Sequence, residues 1–206
     1  MGLDYSYLLY FDRKLQWEAL QAVVNISVPH HPPTRILFPG HELSIPLEAW
    51  SSNNGVLKYN DPELQMHTSI YFEEDDAIFD YLQDRIDNDN LRSPPEGNQP
   101  RKVSIGYIYL TIYNESSKRY SGIGAKNSVA FDFGTTGTSM SMLFYYSDSI
   151  RRTFVKLLER VPGVCGVFNH EEYGEVFWYK GHRLSKEIAD PFMPLSEIES
   201  LLGIDE

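Results

Sequence analysis

The feature that most constrains the fold is a repeated alternation of a short apolar strand with an amphipathic helix. The first strand is predicted at residues 4–11, and a helix begins after Asp12, whose side chain is a favourable helix N-cap. One face of this helix is apolar and holds Leu15, Ala19, Ala22, Val23 and Ile26. Apolar residues three and four positions apart mark the buried side of a helix, so this segment must pack against another element.

Two further segments show the same pattern. The second has a strand at residues 68–72 and a helix from about Asp75. The third has a strand at residues 139–146 and a helix that is capped by Ser147 or Asp148 and ends at a Pro-Gly pair. The apolar stripes of these two helices are Ile78, Leu82 and Ile86, and Ile150, Phe154, Leu157, Leu158 and Val161.

Each strand–helix pair is followed by two more predicted strands, which gives a βαββ pattern three times. The added strands are residues 35–38 and 42–45, 102–113 and 128–133, and 164–169 and 175–180. This order indicates an α+β fold of two layers, with about three helices on one face of a mostly antiparallel sheet. The ferredoxin-like topology is the nearest common fold. Internal duplication would explain the matching units, but periodic elements also align by chance, and both explanations stay open.

The chain is long enough to bury one continuous core. With 206 residues, of which 42% are hydrophobic, we expect a single α+β domain over residues 1–206. Residues 87–101 are rich in Pro and polar side chains and contain almost no apolar ones, which predicts a long mobile loop. Residues 195–202 predict a short helix with Ser196 as its cap.

The charge limits the classes of partner. A net charge of −11 and an isoelectric point near 5.0 argue against nucleic acid and anionic membranes, because both would repel the chain, and are compatible with a basic protein. Cys165 is the single cysteine, which is typical of a reducing compartment. The N-terminal segment has no apolar run long enough to anchor it in a bilayer, so we expect a cytoplasmic protein. No pattern determines the oligomeric state.

Four carboxylates follow one side of the second helix, opposite its apolar stripe. They are Asp76, Asp80, Asp84 and Asp87, at steps of four, four and three residues. Like charges four residues apart destabilise a helix by about 0.2–0.5 kcal/mol per pair. We therefore predict that this acidic row binds a basic protein partner, the alternative being an ordinary solvated surface.

Residues that could carry acid–base chemistry lie near the predicted hairpin at 163–182. The candidate pocket residues are His170, Glu171, Glu172, Trp178 and Tyr179. In an enzyme, the first three would transfer protons beside the two aromatic walls. None of the six histidines has a ligand spacing typical of a metal site, and we expect neither a metal nor a cofactor.

Residues 131–138, with the sequence FDFGTTGT, form the most distinctive motif. They resemble the first phosphate-binding hairpin of actin-like and sugar-kinase-like ATPases, and the resemblance implies that Asp132 and the Gly-Thr-Thr turn hold Mg-phosphate. Too few residues follow Thr138 in this 206-residue chain for the remaining motifs of that fold. We therefore favour an ordinary hairpin turn rich in Gly and Thr.

Together, the patterns favour a non-enzymatic protein-binding domain of the immunity or antitoxin type, such as a bacterial inhibitor of a basic nuclease toxin. Such an inhibitor needs a rigid acidic surface and fast electrostatic association, and no cofactor. Two alternatives stay open. One is a small-molecule sensor with an aromatic stacking surface, and the other is an enzyme with a pocket near the 163–182 hairpin.

Overall fold

A computed structural model describes residues 2–50, 55–83, 101–114 and 127–203. The α-helices are α1 (Gln16–Val24), α2 (Asp76–Gln83), α3 (Thr138–Tyr146), α4 (Asp148–Arg160) and α5 (Leu195–Leu201), and a 3₁₀ turn (Arg13–Leu15) precedes α1. The strands are β1 (Ser6–Asp12), β2 (Thr34–Phe38), β3 (His41–Ile45), β4 (Glu48–Ala49), β5 (Val56–Lys58), β6 (Glu63–Thr68), β7 (Tyr71–Glu73), β8 (Lys102–Ser104), β9 (Ile108–Tyr113), β10 (Ser128–Gly134), β11 (Gly163–Asn169), β12 (Gly174–Tyr179) and β13 (His182–Ile188).

Eight strands form one large sheet in the order β13-β12-β11-β1-β10-β9-β6-β4. All of its neighbouring strands pair antiparallel. Two smaller sheets accompany it, β3-β2-β5 and β7-β8. Within the described residues the protein thus has an α+β fold, in which a large antiparallel sheet is combined with five α-helices.

The large sheet has a hydrophobic cluster on each face. Alternate side chains of β1 belong to different clusters: Tyr7 and Leu9 to the larger one, and Leu8 and Tyr10 to the smaller one. The larger cluster includes buried side chains of α1, α2, α3 and α4, whereas the smaller one includes those of α5. A strand that is covered on both faces is apolar at successive positions, which explains the unbroken apolar run near the start of the chain.

Most residues of the predicted helical stripes are buried, but Leu15 and Ile26 are half-buried and lie outside α1, and Ile86 lies outside the described residues. Ile150, Phe154, Leu157, Leu158 and Val161 are at most 5% exposed, as are Ala19, Ala22, Val23, Ile78 and Leu82. At about 1.5–3 kcal/mol for each fully buried large apolar side chain, these stripes fix the helices in place. The Ser147 hydroxyl accepts a hydrogen bond from the Ile150 backbone N–H at 3.1 Å and caps α4, as predicted.

The predicted strand at residues 139–146 is wrong, because α3 occupies this segment. Its aromatic and apolar residues are frequent in strands, but the buried ones have helical spacing. They are Met140, Ser141, Leu143 and Phe144. The third strand–helix unit therefore lacks its strand at this position, which removes the basis for a threefold βαββ duplication.

Other boundaries also differ from the predictions. The strand expected at 68–72 is interrupted, since β6 ends at Thr68 and β7 begins at Tyr71, and the strand expected at 102–113 is divided into β8 and β9. α5 follows Pro194 and has no side-chain cap, so Ser196 is not its cap. The loop predicted at 87–101 lies, up to residue 100, outside the described residues.

Candidate functional site

α2 begins at a carboxylate that joins two helices. Asp75 Oδ1 accepts a hydrogen bond from the Ile78 backbone N–H at 3.0 Å, which caps α2. Its Oδ2 accepts hydrogen bonds from the Ser147 hydroxyl at 2.8 Å and from the Ser149 backbone N–H at 2.9 Å. Asp75 therefore fixes α2 against the junction between α3 and α4.

The exposed side of α2 carries part of the predicted acidic row. Asp76 and Asp80 are exposed and lie one turn apart, on the side opposite the buried stripe. Phe79, between them in sequence, is 45% exposed. Asp84 and Asp87 lie outside the described residues. α2 thus presents to solvent an aromatic ring with two carboxylates on one side of it.

Two tyrosines at the C-terminal end of α3 are also exposed. Tyr145 and Tyr146 are 51% and 63% exposed, and their rings meet edge-on with centroids 5.0 Å apart. The Ser147 hydroxyl donates a hydrogen bond to the Asp75 carboxylate. Tyr146 directly precedes Ser147 and Asp76 directly follows Asp75, so this bond brings the end of α3 close to the start of α2. We call this surface the acidic–aromatic face and define it as Asp76, Phe79, Asp80, Tyr145 and Tyr146.

His170, from the predicted hairpin pocket, is enclosed by aromatic rings. The imidazole stacks on Tyr173 with centroids 4.3 Å apart and meets Phe168 edge-on at 4.4 Å. Tyr5 and Tyr145 also contact it edge-on, at 5.5 and 5.6 Å. Burial lowers the pKa of His170 from its ordinary value, because the imidazolium would lose its hydration. Burial of the ring accordingly favours its neutral form.

The two glutamates after His170 form the turn between β11 and β12. Glu171 has a left-handed backbone with φ of 71°, and its Oε1 accepts a hydrogen bond from the Asp4 backbone N–H at 2.6 Å. Glu172 is exposed, and its N–H donates to the His170 carbonyl at 3.0 Å. Glu171 thus ties the N-terminal segment to the hairpin, which is a structural role.

Trp178 and Tyr179 lie away from the other predicted pocket residues. His170 is at the turn of the hairpin, whereas Tyr179 pairs with Cys165 at its far end. Trp178 belongs to the larger hydrophobic cluster and Tyr179 to the smaller one, so the two rings lie on opposite faces of the sheet. The structure does not bring the five residues together in one pocket.

A half-buried ion pair that no sequence pattern indicated lies close to His170. Arg151 Nη2 donates to Glu175 Oε2, and the Ser185 hydroxyl donates to Glu175 Oε1 at 2.9 Å. Burial would lower the pKa of Arg151, but the hydrogen bond to Glu175 and the adjacent Tyr7 outweigh it and raise that pKa. The sequence feature that could have indicated this ion pair is Glu175, the charged residue of the otherwise uncharged strand GEVFWY.

The FDFGTTGT segment joins a strand to a helix. β10 ends at Gly134 and α3 begins at Thr138. Thr138 Oγ1 accepts a hydrogen bond from the Leu3 backbone N–H at 3.1 Å, and the hydroxyls of Thr135 and Ser141 lie 2.6 Å apart. The hydroxyl groups of Thr138 and of Ser141, just after the segment, both bond to the Leu3 backbone. The phosphate-binding hairpin implied by the resemblance and the ordinary hairpin turn are both wrong.

Among the described residues, no group of three or more His, Cys, Asp or Glu side chains could hold a metal ion. Cys165 is fully buried, and burial raises the pKa of its thiol, which disfavours the nucleophilic thiolate. In the described ranges, no helix has both the length and the apolar character needed to cross a membrane.

The chain matches no protein-family model, and comparisons with curated proteins and with solved structures give no significant match. A functional conclusion therefore rests on the surface chemistry of the described residues.

Proposed function

We propose that the protein is a protein-binding domain of the immunity or antitoxin type, which recognises a basic partner through the acidic–aromatic face. The observation that carries the proposal is the composition of this face. Two exposed carboxylates and three exposed aromatic rings lie on two helices that Asp75 joins. Charges that attract a partner and rings that anchor it are thus available on two adjoining helices.

The aromatic rings supply the short-range part of recognition. Phe79, Tyr145 and Tyr146 keep between 45% and 63% of their surface in water. A partner that covers these rings removes their apolar surface from water, which favours binding. Aromatic side chains are enriched in protein interfaces, and a few of them commonly supply most of the binding energy. The three rings are therefore suitable anchors.

The carboxylates supply the long-range electrostatic part of recognition. Asp76 and Asp80 repel each other across one helical turn, at a cost of about 0.2–0.5 kcal/mol. A cationic partner would relieve this repulsion, and the net charge of −11 would speed its approach. The proposal therefore predicts association that is fast at low salt and slower at high salt.

The test compares the wild type with the double variant Asp76→Lys/Asp80→Lys. Both sites are exposed, and each surface change is expected to alter the free energy of unfolding by no more than about 0.5 kcal/mol. Each protein serves as bait in an extract of the native host, and the association rate of the captured protein is then measured at several salt concentrations. We expect a basic partner that associates about tenfold more slowly with the variant at low salt. The difference should shrink at high salt, because charges are screened beyond about 10 Å at 0.1 M ionic strength.

The matched control is Glu187→Lys/Glu197→Lys, which changes the net charge by the same amount on β13 and α5. Both control residues are exposed. If attraction depends on the acidic–aromatic face, the control should associate almost as fast as the wild type. An acidic partner, or an equal loss of rate in the control and the face variant, would contradict the proposal.

We also propose that the centre of the large sheet has ferredoxin-like topology, with α1, α2 and α4 on one face. If β2–β8 and α2 are taken as one insertion and α3 as another, the elements β1, α1, β9, β10, α4 and β11 have the order βαββαβ. Their strands are neighbours in the order β11-β1-β10-β9. Buried side chains of the three helices share one cluster, which supports a common face. An experimental structure with α2 on the face covered by α5 would contradict this arrangement.

A further inference from the structure

A groove beside the N-terminal half of α4 combines aromatic and cationic side chains. It consists of two cavities of about 300 Å³ each, which share Asp148 and Arg151 in their walls. We call it the Arg151 groove. Its aromatic side includes Tyr145, Tyr146 and Phe168, and its cationic side includes Arg152 and Arg183.

The cationic side brings three arginines together in an acidic chain. Three of the 18 basic residues, Arg151, Arg152 and Arg183, line one cavity together with a single acid, Asp148. The cavity also has apolar walls, since Val155 and Phe177 are buried there at 4% and 3% exposure. A guanidinium group donates several hydrogen bonds in one plane and matches a phosphate or carboxylate.

A carboxylate lies near each arginine of the groove, and the one near Arg152 is Glu73, whose hydrogen-bond partner is Lys156. Glu175 accepts from Nη2 of Arg151, and a guanidinium has five N–H donors. Glu159 approaches Arg183 only to 3.7 Å, and the Arg183 side chain is 65% exposed. Glu175 therefore orients Arg151, whereas most of the Arg183 side chain lies in solvent.

The aromatic side offers a surface for a planar ring. Tyr145 and Tyr146 are about half exposed or more, and the buried rings of Tyr7 and Phe168 complete this wall. Each cavity, at about 300 Å³, is at the lower end of the usual size of a small-ligand site, about 300–1,000 Å³.

We propose that the Arg151 groove binds a small aromatic anion. The aromatic ring lies against Tyr145 and Tyr146, and the phosphate or carboxylate lies against Arg152 and Arg183. The two tyrosines also belong to the acidic–aromatic face, but the arginines do not. Substitution of the arginines therefore tests this site separately from the binding of a protein partner.

The test is isothermal titration calorimetry of the full chain at low salt with four probes. Phenyl phosphate carries both the ring and the anion, inorganic phosphate and phenol carry one feature each, and phenylacetate replaces phosphate by carboxylate. We expect phenyl phosphate or phenylacetate to bind at least about tenfold more tightly than inorganic phosphate or phenol, because ring and anion contribute together. Tighter binding of phenyl phosphate than phenylacetate assigns a phosphate ligand, and the reverse assigns a carboxylate; both outcomes support the site.

Two variants locate the binding, and a third controls for charge. Arg152→Gln and Arg183→Gln should each weaken binding of the tighter aromatic anion by about tenfold. Lys186→Gln removes an exposed positive charge from the same strand as Arg183 and should change affinity by less than about twofold. The proposal is overturned if no probe binds at millimolar concentration, if inorganic phosphate binds as tightly as the aromatic anions, or if Lys186→Gln weakens binding as much as the arginine variants.

Discussion

Replacement of Asp75 by alanine should destabilise the protein far more than replacement of its neighbour Asp76. The Asp75 carboxylate accepts hydrogen bonds from the Ile78 N–H, the Ser147 hydroxyl and the Ser149 N–H at 2.8–3.0 Å. Loss of a helix N-cap costs about 1 kcal/mol, and a hydrogen bond to a charged group contributes about 1.5–3 kcal/mol. Because Asp75 is only half-buried, water compensates part of this loss. We therefore expect the free energy of unfolding to fall by roughly 2–4 kcal/mol.

The measurement is urea unfolding of the wild type and of the variants Asp75→Ala, Asp75→Ser and Asp76→Ala. Serine is able to cap α2 but is too short to reach α4, so Asp75→Ser should lose less stability than Asp75→Ala. Asp76→Ala removes an exposed carboxylate and should change the free energy of unfolding by no more than about 0.5 kcal/mol. If Asp75→Ala is as stable as Asp76→Ala, Asp75 does not join α2 to α4 and the argument for a continuous acidic–aromatic face fails.

Three further predictions concern the interior. The pKa of His170 lies below its ordinary value of 6.5, so the unfolded chain binds the proton more readily than the folded protein. The wild type should therefore lose stability as the pH falls below 6.5, and the variant His170→Phe should lose less. Urea unfolding at pH 7.5 and 5.5 measures both losses. An equal loss in both proteins would refute the burial of a neutral imidazole. The Cys165 thiol should react with a thiol reagent only after the protein is denatured, and rapid reaction of the native protein would contradict its burial. An added Cβ at Gly166 would lie 2.6 Å from a ring carbon of Phe177. Gly166→Ala should therefore lower the free energy of unfolding by about 1–3 kcal/mol. Unchanged thermal stability of this variant would contradict the packing.

The helices that were predicted correctly have one apolar side. α4 carries its apolar residues on a single stripe, and its Ser147 cap and the Pro162-Gly163 stop define both ends. This periodicity follows directly from burial on one face, so the sequence alone predicts it. α1 and α2 were predictable for the same reason.

The errors lie where burial does not follow a single period. α3 is apolar on much of its surface, and its exposed Tyr145 and Tyr146 made it resemble a strand. β13 was not predicted because it is an exposed edge strand of charged and polar residues, with Ile188 as its buried member.

The candidate site was only partly predictable. Asp76 and Asp80 follow from helical spacing, but the contribution of Tyr146 depends on the contact between Asp75 and Ser147, which are far apart in sequence. The pairing of Arg151 with Glu175 likewise depends on how α4 packs on β12. Such contacts between distant segments have no local pattern in the sequence.

The most direct test of the proposed function is amide hydrogen exchange of the protein alone and in complex with the captured partner. If the partner covers the acidic–aromatic face, exchange should slow in α2 and at the C-terminal end of α3, while α5 and β13 should exchange as in the free protein. Slower exchange in α5 or β13 with no change in α2 would place the interface elsewhere and contradict the proposed function.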